Sequence, residues 1–176
     1  MINIPNLLSI GRILCVPLFI ILLLHHLYGW ALFTFVAASI TDAVDGLLAR
    51  MLKQKTVLGS YLDPAADKLL NASSYIALAV MNLLPSWIAV IVVSRDVIIG
   101  LGLMILFLTS HPLEIRPSIA SKLTTTFQLC TVIFALGSAY VAPVPNFLGF
   151  LIWATAIGTV VSGLQYIARG VRIFNQ

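Results

Sequence analysis

Asp42, Asp45, Asp63 and Asp67 fall within one short stretch, DAVDGLLARMLKQKTVLGSYLDPAAD. They are four of only six acidic residues in a chain of 176. Four carboxylates gathered in apolar surroundings repel one another and are costly to desolvate unless cations hold them together. Hard divalent ions take oxygen ligands, and Mg2+ or Mn2+ suits carboxylates. A bare carboxylate cluster in an apolar chain therefore reads as a metal site.

Helices must position these groups. Asp42 and Asp45 are spaced i, i+3; Asp63 and Asp67 are spaced i, i+4. On a helix each spacing puts both side chains on one face, about a turn apart. Gly46, Ala49 and Gly59, all small, lie between the pairs together with Arg50. Two facing helices with these faces turned inward would gather all four carboxylates around one point.

The pattern Asp42-x2-Asp45-Gly46-x2-Ala49-Arg50-x8-Gly59-x3-Asp63-x3-Asp67 resembles the signature of the CDP-alcohol phosphatidyltransferases, with all eight fixed positions filled. The resemblance implies an all-α membrane protein, a six-transmembrane-helix bundle that forms one domain over residues 1–176. It implies transfer of a phosphatidyl group from a CDP-linked lipid to an alcohol, with release of CMP. By the same resemblance Asp42, Asp45, Asp63 and Asp67 bind metal, two Mg2+ or Mn2+ ions, and Asp67 is also the general base for the acceptor hydroxyl. Asp42, Asp45, Gly46, Ala49, Arg50 and Gly59 form the CDP-lipid site. There Arg50 pairs with phosphate or cytidine oxygens, and the small residues leave room for close approach. A homodimer is a further implication.

The acceptor is read from a second stretch. Arg116-Pro-Ser-Ile-Ala-Ser-Lys-Leu-Thr-Thr-Thr-Phe-Gln resembles the matching region of phosphatidylglycerophosphate synthases and of the related cardiolipin synthases. Both use phosphate-bearing acceptors, so Arg95, Arg116 and Lys122 are expected to form an anion pocket. Where the family usually has Gly before that Lys, this chain has Ser121. Arg95 and Asp96, inside the fourth apolar run, also fit a structural ion pair. Glycerol 3-phosphate is the first acceptor expected, with phosphatidylglycerol as the alternative.

Composition agrees with a membrane protein. Hydrophobic residues make up 60%, charged residues 9%, and the mean hydropathy is +1.06. Soluble domains carry roughly a quarter charged residues. The net charge of +4 is spread along the chain near helix ends. That is the pattern of topology signals and headgroup contacts, not of nucleic-acid binding. Cys15 and Cys130 each sit in an apolar run and read as packing residues. The N-terminal stretch lacks the order of a cleaved signal peptide, so the first helix is expected to be retained.

Six spans are expected: to about Leu24, then about Ala31–Leu52, Leu58–Leu84, Trp87–Leu108, Leu123–Tyr140 and Phe147–Ala168. A short interfacial helix or helix entry is expected over Ile2–Ser9, with Asn6 as its cap. Pro64 is expected near a helix start or kink. With the N-terminus cytoplasmic, Arg12, Arg50, Lys53, Lys55, Lys68, Arg116, Lys122, Arg169 and Arg172 all fall on the cytoplasmic side. The three opposite loops then hold no Lys or Arg, a positive-inside pattern. It places the acidic cluster at the cytoplasmic face, of a bacterial inner membrane by expectation. His25, His26 and His111 read as interfacial or loop residues, and Trp and Tyr near helix ends as interface anchors.

Two other classes use intramembrane acids. An ion-coupled transporter is one, but the second half of the chain has no counterpart of the acidic pairs. A membrane prenyltransferase is the other, and it needs more helices and a different Asp spacing.

Overall fold

Long apolar runs in lipid pair their backbone groups without water, and the helix does this within one segment. The computed structural model describes the backbone of residues 4–51, 57–108, 119–140 and 145–174, and the side chains of 9–41, 65–102, 104, 120–140 and 146–170. Among these residues there are six α-helices and no strand. They are α1 (Ile4–Leu24), α2 (Tyr28–Met51), α3 (Val57–Val80), α4 (Ser86–Leu108), α5 (Ile119–Tyr140) and α6 (Pro145–Phe174).

The all-helical architecture is the expected one, with shifted ends. α1 begins at Ile4, so Asn6 sits inside its first turn rather than capping it. Pro5 in that first turn costs little, because its missing N–H would have had no helical partner. α1 also carries Pro17 in its interior. α3 runs unbroken through Pro64, which is therefore neither at a start nor at an end. α6 continues past Ala168 to Phe174 and takes Arg169 and Arg172 into the helix.

Two helix ends share one device. His26 (φ 57°) and Asn82 (φ 56°) adopt the left-handed conformation just past α1 and α3. After α1, Leu27 N donates to Leu22 O at 2.9 Å and His26 N to Leu23 O at 2.8 Å. After α3, Leu83 N donates to Leu78 O at 2.9 Å and Asn82 N to Ala79 O at 3.1 Å. This Schellman pattern satisfies the last carbonyls and stops the helix. It ends α3 at Val80, earlier than the expected Leu84.

Two compact units are present. Unit 1 comprises Met1–Leu84 with Val132–Pro143; unit 2 comprises Pro85–Thr131 with Val144–Gln176. In unit 1, α1 packs along both α2 and α3. Its core holds Phe19, Leu23, Phe35, Tyr75, Leu78 and Leu136, all at 0% exposure. Phe19 and Phe35 tie α1 to α2, their ring centroids 5.9 Å apart. In unit 2, α4 packs against α6. Ile88, Val92, Leu151 and Ala156 are buried there.

The outer surfaces are apolar. Leu14, Leu18, Ile21 and Phe33 of unit 1 and Val90, Phe150, Ile157 and Leu164 of unit 2 are exposed. The buried residues of unit 2, in contrast, include Arg95, Ser121, Thr124, Gln128, Thr131, Thr155, Thr159 and Ser162. Apolar outside and polar inside is the arrangement that lipid favours. Among the described residues, Ala120–Tyr140 and Asn146–Gly170 are long and apolar enough to cross a bilayer; the apolar parts of α1 and α2, Ser9–Leu24 and Tyr28–Thr41, are shorter. Hydroxyls within the helices are spent locally. Thr34 donates to Trp30 O, Ser39 to Phe35 O, Thr41 to Ala37 O and Ser74 to Leu70 O, at 2.6–2.9 Å.

Candidate functional site

The acidic pairs lie on two helices of unit 1. Asp42 and Asp45 are on α2, and Asp63 and Asp67 are on α3. Both segments are continuous helix, so each pair occupies one helix face at one-turn spacing. α1 packs along both helices and α2 also meets α3, so one helix braces the two carriers. The side chains of Asp42, Asp45, Gly46, Ala49, Arg50, Gly59 and Asp63 lie outside the described residues. Asp67 is half-buried, between the buried Ala66 and the buried face formed by Leu70, Asn71 and Ser74. A polar strip therefore continues along α3 from Asp67 into the core.

Unit 2 holds a second polar centre. Arg95 of α4 is 8% exposed. Its Nη1 donates to Asp96 Oδ1 at 2.7 Å. Its Nη2 donates to Ser121 Oγ of α5 and to Ser162 Oγ of α6, both at 2.9 Å. Neighbouring residues on a helix do not face each other, so the ion pair with Asp96 depends on the length of the Arg stem. Arg95 Nε is buried and has no hydrogen-bond partner among the described residues. Such an unmet donor costs about 1–3 kcal/mol. A buried ion pair also needs further hydrogen bonds to offset its desolvation, and the two serines supply them.

The serines belong to a polar seam between α5 and α6. Thr131 and Thr155 meet hydroxyl to hydroxyl at 2.8 Å. Gln128 Nε2 donates to Thr159 Oγ1 at 3.3 Å. Thr124 lies over Gly158, where a Cβ would stand 3.0 Å from Thr124 Oγ1. Ser121 and Ser162 close the seam through Arg95. Small residues and hydroxyls are the usual means of close helix contact in lipid.

Of the three cations read as an anion pocket, Arg95 is enclosed, Lys122 is exposed, and Arg116 lies outside the described residues. The expected ion pair is present at Arg95: Asp96 takes one nitrogen, and Nε is left over. Ser121, where the sequence departs from the resembled pattern, supplies one of the two hydroxyls. Ser162 was not singled out in the sequence. Its signal was the polar spacing Thr155, Thr159, Ser162 in α6 against Ser121, Thr124, Gln128, Thr131 in α5, each set on one helix face. Arg12, read as a topology cation, is 2% exposed and belongs to the interior of unit 1. His25 and His26 are exposed at the α1–α2 turn, as expected of loop residues, and His26 Nδ1 lies 2.8 Å from Tyr28 Oη. His111, Lys53 and Lys55 lie outside the described residues. Cys15 and Cys130 are free and half-buried.

Comparison with known proteins agrees with the sequence pattern. The sequence model of the family "CDP-alcohol phosphatidyltransferase" matches residues 2–161. The Bacillus subtilis protein named "CDP-diacylglycerol--glycerol-3-phosphate 3-phosphatidyltransferase" is 31% identical, over 96% of this chain and 95% of its own length. A Mycobacterium tuberculosis protein named "Probable phosphatidylglycerophosphate synthase" is 34% identical, over 97% of this chain and 82% of its own length. A Drosophila melanogaster protein named "Probable cardiolipin synthase (CMP-forming)" is 35% identical over 94% of this chain. The chain spans 56% of that relative's length.

Proposed function

Because the chain belongs to the CDP-alcohol phosphatidyltransferase family, we propose that it transfers the phosphatidyl group of CDP-diacylglycerol to glycerol 3-phosphate. The products are phosphatidylglycerophosphate and CMP, and the role is in phospholipid biosynthesis. The observation that carries this reading is the placement of the two acidic pairs at one-turn spacing on α2 and α3, both braced by α1. The family match runs through both compact units, which supports one functional domain.

The donor set fits divalent cations, since all four groups are carboxylates and Asp67 is partly withdrawn from solvent. Asp42, Asp45, Asp63 and Asp67 hold two Mg2+ or Mn2+ ions in this reading. When bound, these supply neutralisation of the diphosphate and of the leaving CMP.

The chain's own residues do the rest. Arg50 pairs with phosphate or cytidine oxygens of the CDP-lipid, and Gly46, Ala49 and Gly59 let the nucleotide approach the backbone. Asp67 accepts the proton of the acceptor hydroxyl. The hydroxyl oxygen then bonds to the phosphorus that carries diacylglycerol, and the bond from that phosphorus to the CMP oxygen breaks. Arg95 holds the acceptor phosphate, with Arg116 and Lys122 as further cations. The chain acts as a homodimer in a bacterial inner membrane, with the acidic cluster facing the cytoplasm, where the nucleotide-activated lipid and the polar acceptor meet.

The test is CMP release from CDP-diacylglycerol by the purified chain in micelles, with Mg2+ or Mn2+ and then with EDTA. Metal-dependent release that requires glycerol 3-phosphate is expected. Release only with phosphatidylglycerol would move the product to cardiolipin, a second reading that the 35% identity to the Drosophila relative favours. No release with any alcohol from folded protein would overturn the proposal. Membership of the CDP-alcohol phosphatidyltransferase family removes the ground for the transporter and prenyltransferase readings.

A further inference from the structure

Arg95 is tied at two of its three nitrogens. Nη2 has two hydrogens and two acceptors, Ser121 Oγ and Ser162 Oγ, each at 2.9 Å. Nη1 is held by Asp96 at 2.7 Å. A guanidinium is planar and rigid, so its three ties act together to fix its plane and with it the direction of the Nε–H. Nε is the group left over, buried and without a partner among the described residues. Buried polar groups are nearly always paired, and an exception calls for an explanation such as a ligand.

The other rungs of the α5–α6 seam leave no such remainder. Gln128 pairs with Thr159, and Thr131 with Thr155, by neutral hydrogen bonds between the two helices. At Ser121 and Ser162 the two hydroxyls instead converge on a cation brought by α4.

We propose that Ser162 is a positioning residue: with Ser121 it sets the plane of the Arg95 guanidinium, so that Nε is presented to an oxygen of the acceptor's phosphate. The proposal rests on the reading of Arg95 as the acceptor's anion site. Loss of the Ser162 hydroxyl frees one Nη2 hydrogen and lets the guanidinium turn about its stem. Acceptor binding then weakens, while handling of the CDP-lipid does not change.

The test is steady-state kinetics of the full chain in micelles, with glycerol 3-phosphate varied. Ser162→Ala should raise the KM for glycerol 3-phosphate about tenfold, the scale of one hydrogen bond to a charged group. kcat and the KM for CDP-diacylglycerol should stay within about twofold. Ser162→Thr, which keeps the hydroxyl, should restore the acceptor KM. If the added methyl prevents folding, Ser121→Ala takes its place and should raise the acceptor KM in the same way. Thr155→Ala removes a rung of the same seam and should lower the melting temperature with no change in acceptor KM. A Ser162→Ala protein that loses stability but keeps its acceptor KM would overturn the proposal, as would an unchanged acceptor KM in Ser121→Ala. Arg95→Lys separates the two layers. If it leaves the acceptor KM unchanged, Arg95 is not the anion site and the positioning role falls with it. If it raises that KM while Ser162→Ala does not, the anion site stands and only the positioning role fails. If turnover occurs with phosphatidylglycerol alone, the same KM comparison is made with that phosphate-bearing acceptor.

Discussion

Thr131 of α5 and Thr155 of α6 face each other with their hydroxyl oxygens 2.8 Å apart, both at 0% exposure. Thr131 also lies 2.8 Å from Phe127 O of its own helix. Its hydroxyl is also 3.4 Å from Leu151 O of α6, so the pair combines bonds within α5 with bonds across to α6. Interhelical hydrogen bonds in lipid average about 0.6 kcal/mol by double-mutant cycles. Thr131→Val and Thr155→Val should each destabilise by about 0.5–1.5 kcal/mol, and the double variant by less than the sum. Denaturation in micelles measures all three. Additivity within error would mean that the two hydroxyls do not interact energetically. Activity should be unchanged in each variant.

The two acidic pairs were legible in the sequence because helix arithmetic alone puts i, i+3 and i, i+4 residues on one face, and α2 and α3 are helical there. The second polar centre was legible only in part. Arg95 and Asp96 stood out as charges in an apolar run, but Ser162 is one small hydroxyl among apolar neighbours. Its partner is chosen by the packing of α4 and α6, which no local pattern encodes. The burial of Arg12 was hidden for the same reason. The sequence placed it among the cations of the cytoplasmic side, and tertiary packing buries it as well. α1 ends at the expected Leu24, whereas the end of α3 shifted because a Schellman motif at Asn82, rather than Pro85, stops the helix.

Asp67→Asn tests the proposed base. The substitution keeps the size of a half-buried side chain and removes its ability to take a proton. Transfer should fall by at least about a hundredfold, the low end of what general base catalysis contributes. The melting temperature and binding of CDP-diacylglycerol should be retained. Near-normal turnover would take Asp67 out of that role.

Asp96 is the counter-charge of a buried guanidinium, with side-chain exposures of 9% for Arg95 and 10% for Asp96. Removing one partner of a buried pair costs about 3–5 kcal/mol, because the other charge is left uncompensated. Asp96→Ala should show a loss on that scale. Asp96→Asn also leaves the charge uncompensated but keeps an acceptor oxygen near Nη1, so it should lose less by the worth of that hydrogen bond. Thermal unfolding in micelles orders the two, and equal losses would mean that the charge of Asp96, not its hydrogen bond, sustains Arg95.

Two glycines separate tight packing from mere proximity. A Cβ at Gly29 would come within 2.9 Å of Tyr140 Cε2, and one at Gly158 within 3.0 Å of Thr124 Oγ1. By distance alone Gly29 is the worse site. Tyr140, however, is 66% exposed and its ring has room to swing aside, whereas Thr124 is 1% exposed and fixed by its bond to Ala120 O at 2.8 Å. Ala in place of a helical Gly gains up to about 1 kcal/mol of propensity, while overpacking a rigid contact costs about 1–3 kcal/mol. Gly29→Ala should therefore be close to neutral and Gly158→Ala destabilising. The seam would have to open at Thr124, between the Gln128–Thr159 rung and the serines on Arg95. Gly158→Ala should thus also raise the acceptor KM if Ser162 positions Arg95. Melting curves and acceptor kinetics on the two variants check both orders; a Gly158→Ala protein as stable as the parent would show that α5 and α6 yield at this contact.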